Sequence, residues 1–114
     1  MNYVIAIIQP AKLDAVRDAL QKVGVSGLTV SDVQGFGRQK GHAEVYRGAE
    51  YQVNFVRKAK LEIACDEHVT DKIVEAIERT AKSGDGKVGD GKIFVLEMKD
   101  IVRIRTGERG STAI

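Results

Sequence analysis

YVIAIIQPAKLDAVRDALQKVG, Tyr3 to Gly24, is the stretch that decides the fold. From Tyr3 to Gln9 it is a short apolar run rich in Ile and Val, the composition of a central strand. Pro10 closes that run. Beyond it Leu13, Val16, Leu20 and Val23 recur at helical spacing with charges between them, and Gly24 supplies a stop. The reading is a strand leading directly into an amphipathic helix.

The same order recurs later in the chain. VNFVRKAKLEIAC (Val53–Cys65) places Val53, Phe55, Leu61, Ile63 and Cys65 on one parity, which predicts a strand from about Phe55 to Asp66. EHVTDKIVEAIERTAKSG (Glu67–Gly84) then carries Val69, Ile73, Ala76, Ile77 and Thr80 on one helical face. GLTVSDVQGF predicts a further strand from about Leu28 to Gly35, and KIFVLEM, Lys92 to Met98, a mostly buried one. The order is βαββαβ. Two helices of this length cover one face of a four-stranded sheet, so the class is α+β and the arrangement ferredoxin-like. The other sheet face then lies open with apolar side chains on it, which predicts self-association. Such a fold hosts many functions and identifies none.

Length and composition narrow the field. At 114 residues the chain reads as a single domain, 1–114, and an apolar share of 43% suffices for a core. With three Phe, three Tyr and no Trp, that core has to be aliphatic. A net charge of +2 argues against a general nucleic-acid binder. The lone Cys65 excludes an internal disulfide framework, and its place in LEIAC reads as a buried thiol. No apolar run approaches the roughly 20 residues of a membrane span. The start, MNYVIAIIQP, has no basic segment before its apolar run, so it reads as a core strand and not a signal peptide. A cytoplasmic location without membrane insertion is expected. The polar, basic tail from about 99 to 114 is expected to be loosely held.

No catalytic constellation stands out. His42 and His68 have no neighbouring Cys or spaced carboxylate that would suggest a metal site. The strongest local signal is SGDGKVGDGKIFV, in which GDGK occurs at Gly84–Lys87 and again at Gly89–Lys92. It is not a Walker A loop, which needs a longer glycine spacing and a Ser or Thr after the lysine. Glycines that let main-chain N–H groups approach an anion, with a lysine beside them, suit phosphate; a plain turn between helix and strand is the other reading. Arg103 and Arg105, two apart in IVRIRTGE, point the same way in an extended segment and suit bidentate phosphate contacts, or form a solvated basic face. The segment GFGRQKGHAEVYRGAEYQ, Gly35 to Gln52, joins two strands, with a Gly-rich basic root that can wrap an anion and a tip bearing two tyrosines. Connections beyond about 15 residues without structure of their own tend to be functional or disordered.

Taken together, GLTVSDVQGFGRQKGHAEVYRGAEY, GDGKIFVLEM and VRIRTGE, in this order, resemble the PII signal-transduction proteins of nitrogen regulation, and the resemblance covers essentially the whole chain. It implies a non-enzymatic homotrimer with the open sheet faces around a three-fold axis. The long connection, about 37–55, would be the family's T-loop, which meets target proteins. ATP or ADP would bind between neighbouring subunits, and 2-oxoglutarate beside MgATP at the loop's base. Carried over by position, Gly35, Phe36, Gly37 and Arg38 would line the nucleotide site. Ile7, Thr29, Glu62 and Ala64 would surround adenine and ribose, and Gly89, Gly91 and Lys92 would hold the phosphates. Arg103 and Arg105 would reach those phosphates from a neighbour. Gln39 would help ligate Mg2+ and, with Lys40 and Gly41, hold 2-oxoglutarate, whose distal carboxylate would pair with Lys58. A triphosphate and a dicarboxylate side by side carry about six negative charges, which calls for cations, Mg2+ and amides in one cluster.

Tyr51 matches the tyrosine uridylylated in many bacterial members, while Ala49 stands where some cyanobacterial members have a phosphorylated serine. Implied partners are an ammonium transporter, a uridylyltransferase, an adenylyltransferase or a sensor kinase. The chain departs from the pattern at Gln9, where Lys or Arg is usual, and at Arg57, where proline is usual. Its segment before the second GDGK is also about two residues longer. These departures motivate an alternative, a divergent paralogue that regulates a different transporter or enzyme with an altered 2-oxoglutarate response. A small nucleotide-hydrolysing enzyme is a further reading, although no general base lies beside the expected phosphates.

Overall fold

Strand β1 (Asn2–Ile8) alternates strictly between core and half-buried positions, as a strand with two different faces must. Val4, Ala6 and Ile8 point to one side and are fully buried. Gln9 ends the strand, and Pro10–Lys12 form a single 3-10 turn that feeds helix α1 (Leu13–Lys22). Pro at the head of that turn donates no N–H where none is needed. Helix α1 buries Val16, Ala19 and Leu20 and is closed by Gly24, whose φ of +96° lets Val25 N–H reach the Leu20 carbonyl at 3.0 Å.

This computed structural model describes residues 1–37 and 54–114 in full, and the backbone alone of two short strands between them. Strand β2 (Thr29–Gly35) follows α1. The two backbone-only strands, β3 (Ala43–Tyr46) and β4 (Glu50–Val53), pair antiparallel as a hairpin, with Val45 opposite Tyr51. They add regular structure to a segment whose sequence predicts none. Strand β5 (Val56–Cys65), helix α2 (Thr70–Ala81) and strand β6 (Gly91–Glu97) complete the order.

The main sheet runs β2-β5-β1-β6, and every neighbouring pair is antiparallel. This is the ferredoxin-like α+β arrangement that the strand and helix order predicts. Val4 pairs with Ile63, Ala6 with Leu61 and Ile8 with Ala59, so the buried side chains of β1 and β5 share a face. Against it lie Val16, Ala19 and Leu20 of α1 and Ile73, Ala76, Ile77 and Ala81 of α2. Cys65 belongs to this core. Each fully buried Val, Leu or Ile contributes about 1.5–3 kcal/mol by leaving water.

Among the described residues, no helix covers the opposite face. Tyr3, Ile5 and Ile7 are half-buried there, while Phe94 and Leu96 are 46% and 47% exposed. A shallow apolar depression of about 710 Å³ lies over Ile5, Ile7, Val33, Phe94 and Leu96. Phe55 does not join the core its parity predicts. β5 begins one residue later, and Phe55 instead meets Phe36 edge-to-face at 5.5 Å between ring centroids.

The tail is also more ordered than its composition predicts. Val102 bridges to Arg109, Gly110 N–H bonds the Ile101 carbonyl at 3.1 Å, and a 3-10 turn over Gly110–Ala113 buries Ala113. Arg109 pairs with Asp100 at 2.6 Å, and that pairing holds the Asp100 carboxyl below the usual carboxylate range. Backbone bonds between non-neighbouring tail residues hold this segment, and they leave no mark in hydrophobic periodicity.

Candidate functional site

Four strand ends meet at one end of the sheet. In the register, Gly35 at the end of β2 faces Val56 at the start of β5, and Ile8 at the end of β1 faces Gly91 at the start of β6. The long connection and the GDGKVGDGK loop therefore enter side by side. Between them opens a cleft of about 680 Å³ lined by Ile7, Gly35, Phe36, Gly37, Lys58, Gly89, Gly91 and Lys92, with Val88 and Phe94 at its edges.

Gly91 sits there for a steric reason. Its φ is +115°, and a Cβ on it would stand 1.8 Å from the Ile7 carbonyl oxygen. Only glycine lets the loop lie this close to the central strand. Asp90 closes the loop from within. Its carboxylate accepts N–H bonds from Lys87 at 2.8 Å and Ser83 at 3.0 Å, and these bonds, Lys87 first, hold its carboxyl below the usual range.

The Gly89 carbonyl accepts Lys58 Nζ at 2.5 Å and Gln9 Nε2 at 2.8 Å. Lys58 is only 9% exposed. Burial pushes its ammonium below the ordinary lysine value, and the negative Asp90 opposes that shift. A buried ammonium, the exposed Lys92 and a loop opened by glycines make a donor set that could hold an anion.

A second cleft, of about 540 Å³, lies at the other end of the sheet. Thr29 and Glu62 are paired there in register, and Ala64 faces Tyr3. All four line it, with Gly27, Leu28 and Ile101. Glu62 also lies 3.6 Å from Lys60. The Tyr3 phenol is pushed up, first by burial and then by its hydrogen bond to Glu62 and that carboxylate's charge.

The predicted site residues thus fall into two groups. Ile7, Gly35, Phe36, Gly37, Lys58, Gly89, Gly91 and Lys92 converge on the first cleft, and Thr29, Glu62 and Ala64 on the second. Along β5, Lys58 and Glu62 are four residues apart, about 13 Å. Arg103 and Arg105 line neither cleft. They sit in the tail turn next to Ile101, where Arg103 binds Glu108 at 3.0 Å and the Ile114 carbonyl oxygen at 3.2 Å. Arg38, Gln39, Lys40 and Gly41 lie outside the described residues, as do His42 and the side chain of Tyr51. Among the described residues, no group of three or more His, Cys, Asp or Glu could hold a metal ion, and His68 is exposed. No described helix is long and apolar enough to cross a membrane.

In the sequence Gln9 stands out only as a departure, and nothing there announces its bond to Gly89. Asp90 does carry a readable signal, since an aspartate flanked by glycines commonly closes its own turn.

The family model "Nitrogen regulatory protein P-II" matches residues 1–108. The chain is 54% identical to Nitrogen regulatory protein P-II 1 of Escherichia coli (strain K12) over 114 residues, all of both chains. It is equally similar to Nitrogen regulatory protein P-II of Klebsiella oxytoca, and 51% identical to that of Azospirillum brasilense, again over the full length of both. Matched by the family model over residues 1–108 and by these relatives over its whole length, the chain belongs to the P-II nitrogen regulatory protein family.

Proposed function

We propose that this chain is a non-enzymatic sensor of ATP or ADP and of 2-oxoglutarate. It controls nitrogen-metabolism targets through the T-loop between β2 and β5. The observation that carries the reading is the division of the site: the glycine loop with Lys58 and Lys92 at one end of the sheet, and Thr29, Glu62 and Ala64 beside the arginine-bearing tail at the other. One chain cannot close these halves on one nucleotide, whereas neighbouring copies in a ring can. The uncovered apolar face, with Phe94 and Leu96, supplies the contact that joins them, and a homotrimer is the assembly proposed.

In that assembly adenine and ribose rest between Ile7 of one chain and Thr29, Glu62 and Ala64 of the next. Gly35, Phe36, Gly37 and Arg38 line the site, and Gly89, Gly91 and Lys92 take the phosphates. Arg103 and Arg105 come from the neighbour, with Arg103 turning from Glu108 to phosphate. The described lining of the cleft offers ammonium and amide donors, and the Asp90 carboxylate of the adjoining loop is already committed to two N–H groups. That donor set suits anions, so Mg2+ fits as a companion of the phosphates with Gln39 as its protein ligand. Gln39, Lys40 and Gly41 hold 2-oxoglutarate, and Lys58 pairs with its distal carboxylate. 2-Oxoglutarate shifts the T-loop only through a difference in affinity between loop states.

The targets proposed are an ammonium transporter, a uridylyltransferase, an adenylyltransferase or a sensor kinase, in the cytoplasm, with Tyr51 as the site of uridylylation. Hydrolysis of the nucleotide is disfavoured because Glu62 belongs beside the ribose, away from the phosphates, and Asp90 is occupied. Calorimetry tests the reading: 2-oxoglutarate should bind with MgATP present and fail to bind without it, and equal binding in both cases refutes the shared site. A Lys58→Ala variant should lose 2-oxoglutarate affinity and keep ATP. Unchanged affinity would favour the paralogue with an altered 2-oxoglutarate response, a reading motivated by the neutral Gln9 in this cleft.

A further inference from the structure

Two donors from the sheet share one acceptor in the glycine loop. Gln9 Nε2, at the end of β1, and Lys58 Nζ, on β5, both donate to the Gly89 carbonyl, at 2.8 Å and 2.5 Å. The donors differ in kind. Lys58 carries a charge that burial makes costly, so it gains from an anionic partner. The Gln9 amide is neutral and offers an incoming anion no charge. A carbonyl oxygen has two lone pairs and can lose one donor without being orphaned. If Lys58 were the sole donor, its turn toward a carboxylate would strand this carbonyl, and the loop up to Gly89 would lose its side-chain tie to the sheet, leaving only the β1–β6 ladder that starts at Gly91.

We infer that Gln9 is a positioning residue: it holds the Gly89 carbonyl, and with it the glycine loop, while Lys58 passes its hydrogen bond from that carbonyl to a bound carboxylate. The inference rests on the ligand-sensing reading above. Lys58 is then a latch in the empty cleft and a ligand contact in the filled one, and Gln9 is the pin that stays. Asp90 complements it, since its bonds to Ser83 and Lys87 keep the loop folded on itself but do not tie it to the sheet.

The test uses the full chain as wild type, Q9M, Q9K, K58M and Q9M/K58M. Hydrogen exchange over residues 82–92 reads the loop, whose Ser83, Gly86, Lys87 and Asp90 amides are all bonded within it. Calorimetry reads MgATP affinity and, at saturating MgATP, 2-oxoglutarate affinity. The loop of K58M should stay nearly as protected as wild type, and Q9M/K58M should exchange about tenfold faster than K58M. Q9M should bind 2-oxoglutarate about tenfold more weakly, roughly one lost hydrogen bond, with MgATP affinity within about twofold. Q9K, which restores a donor, should recover both properties.

Equal exchange in K58M and Q9M/K58M overturns the inference. So does an equal loss of MgATP and 2-oxoglutarate affinity in Q9M, or a failure of Q9K to rescue, since each assigns the effect to packing. A wild type that binds no 2-oxoglutarate beside MgATP overturns the functional reading instead, and the exchange comparison then decides alone whether Gln9 holds the loop.

Discussion

Replacing Gly91 by Ala tests how the glycine loop is fastened to the sheet. A Cβ at this position would stand 1.8 Å from the Ile7 carbonyl oxygen and 2.8 Å from its carbon, both backbone atoms that no rotamer change can move. Ordinary contact starts near 3.4 Å, so the start of β6 and the end of β1 would have to part by about 1.6 Å. That displacement breaks the ladder where Ile8 meets Gly91 and Ile7 meets Lys92. Each lost backbone bond costs about 0.5–1.5 kcal/mol. Holding a non-glycine residue at a φ of +115° costs about 1–3 kcal/mol more. The expected destabilisation is about 3–5 kcal/mol, a fall in melting temperature of roughly 10–25 °C.

Urea denaturation at several protein concentrations measures it and separates folding from assembly. Gly86→Ala is the control, because Gly86 has a similar φ of +109° with nothing within 4 Å of its Cβ position. It should lose only the strain, about 1–3 kcal/mol. If the two variants lose the same stability, the close approach to Ile7 carries no energy and the account of the loop's anchoring is wrong.

Three further outcomes are expected. Lys58 has a lowered folded pKa, so its burial penalty is fully present at lower pH and is relieved as pH rises through that value toward 10.5. Binding of 2-oxoglutarate within that window should therefore take up a proton, seen as a binding enthalpy that varies with buffer ionisation, and an invariant enthalpy refutes it. Asp90 is the opposite case: its depressed pKa means that its N–H bonds persist below the ordinary value of 3.8 and are lost as pH falls through the folded value. The amide resonances of Ser83 and Lys87 should titrate together with a midpoint below 3.8, and a midpoint at or above it removes Asp90 as the closing group. Arg103→Ala should weaken ATP about 10–100-fold while the subunit stays folded, and unchanged affinity in calorimetry would place the tail outside the site.

Much of this architecture is legible in the chain because burial imposes a period. Val16 and Leu20 on α1, and Ile73, Ala76 and Ile77 on α2, occupy the core that their spacing predicts. The alternation over Leu61, Ile63 and Cys65 likewise identifies the inner face of β5. Phe55 breaks that pattern because a lone aromatic at a strand's edge can satisfy itself against a neighbouring ring, here Phe36, at no cost to the alternation beyond it. The tail's order rests on Asp100–Arg109 and Arg103–Glu108 pairs and on backbone bonds, none of which has a period. The candidate site is legible by residue type, in glycines and lysines, but not by placement. Only the antiparallel register reveals that Lys58 and Glu62 of one strand serve different clefts.

That separation has a consequence for chains that mix. In the proposed ring of three, closed by the opposite ends of its members, exchanging one member for a relative would leave one pocket of a single origin and make the other two mosaics. A cell that produces two such chains in changing proportion would then own a graded set of receptors, tuned by expression and not by any new residue.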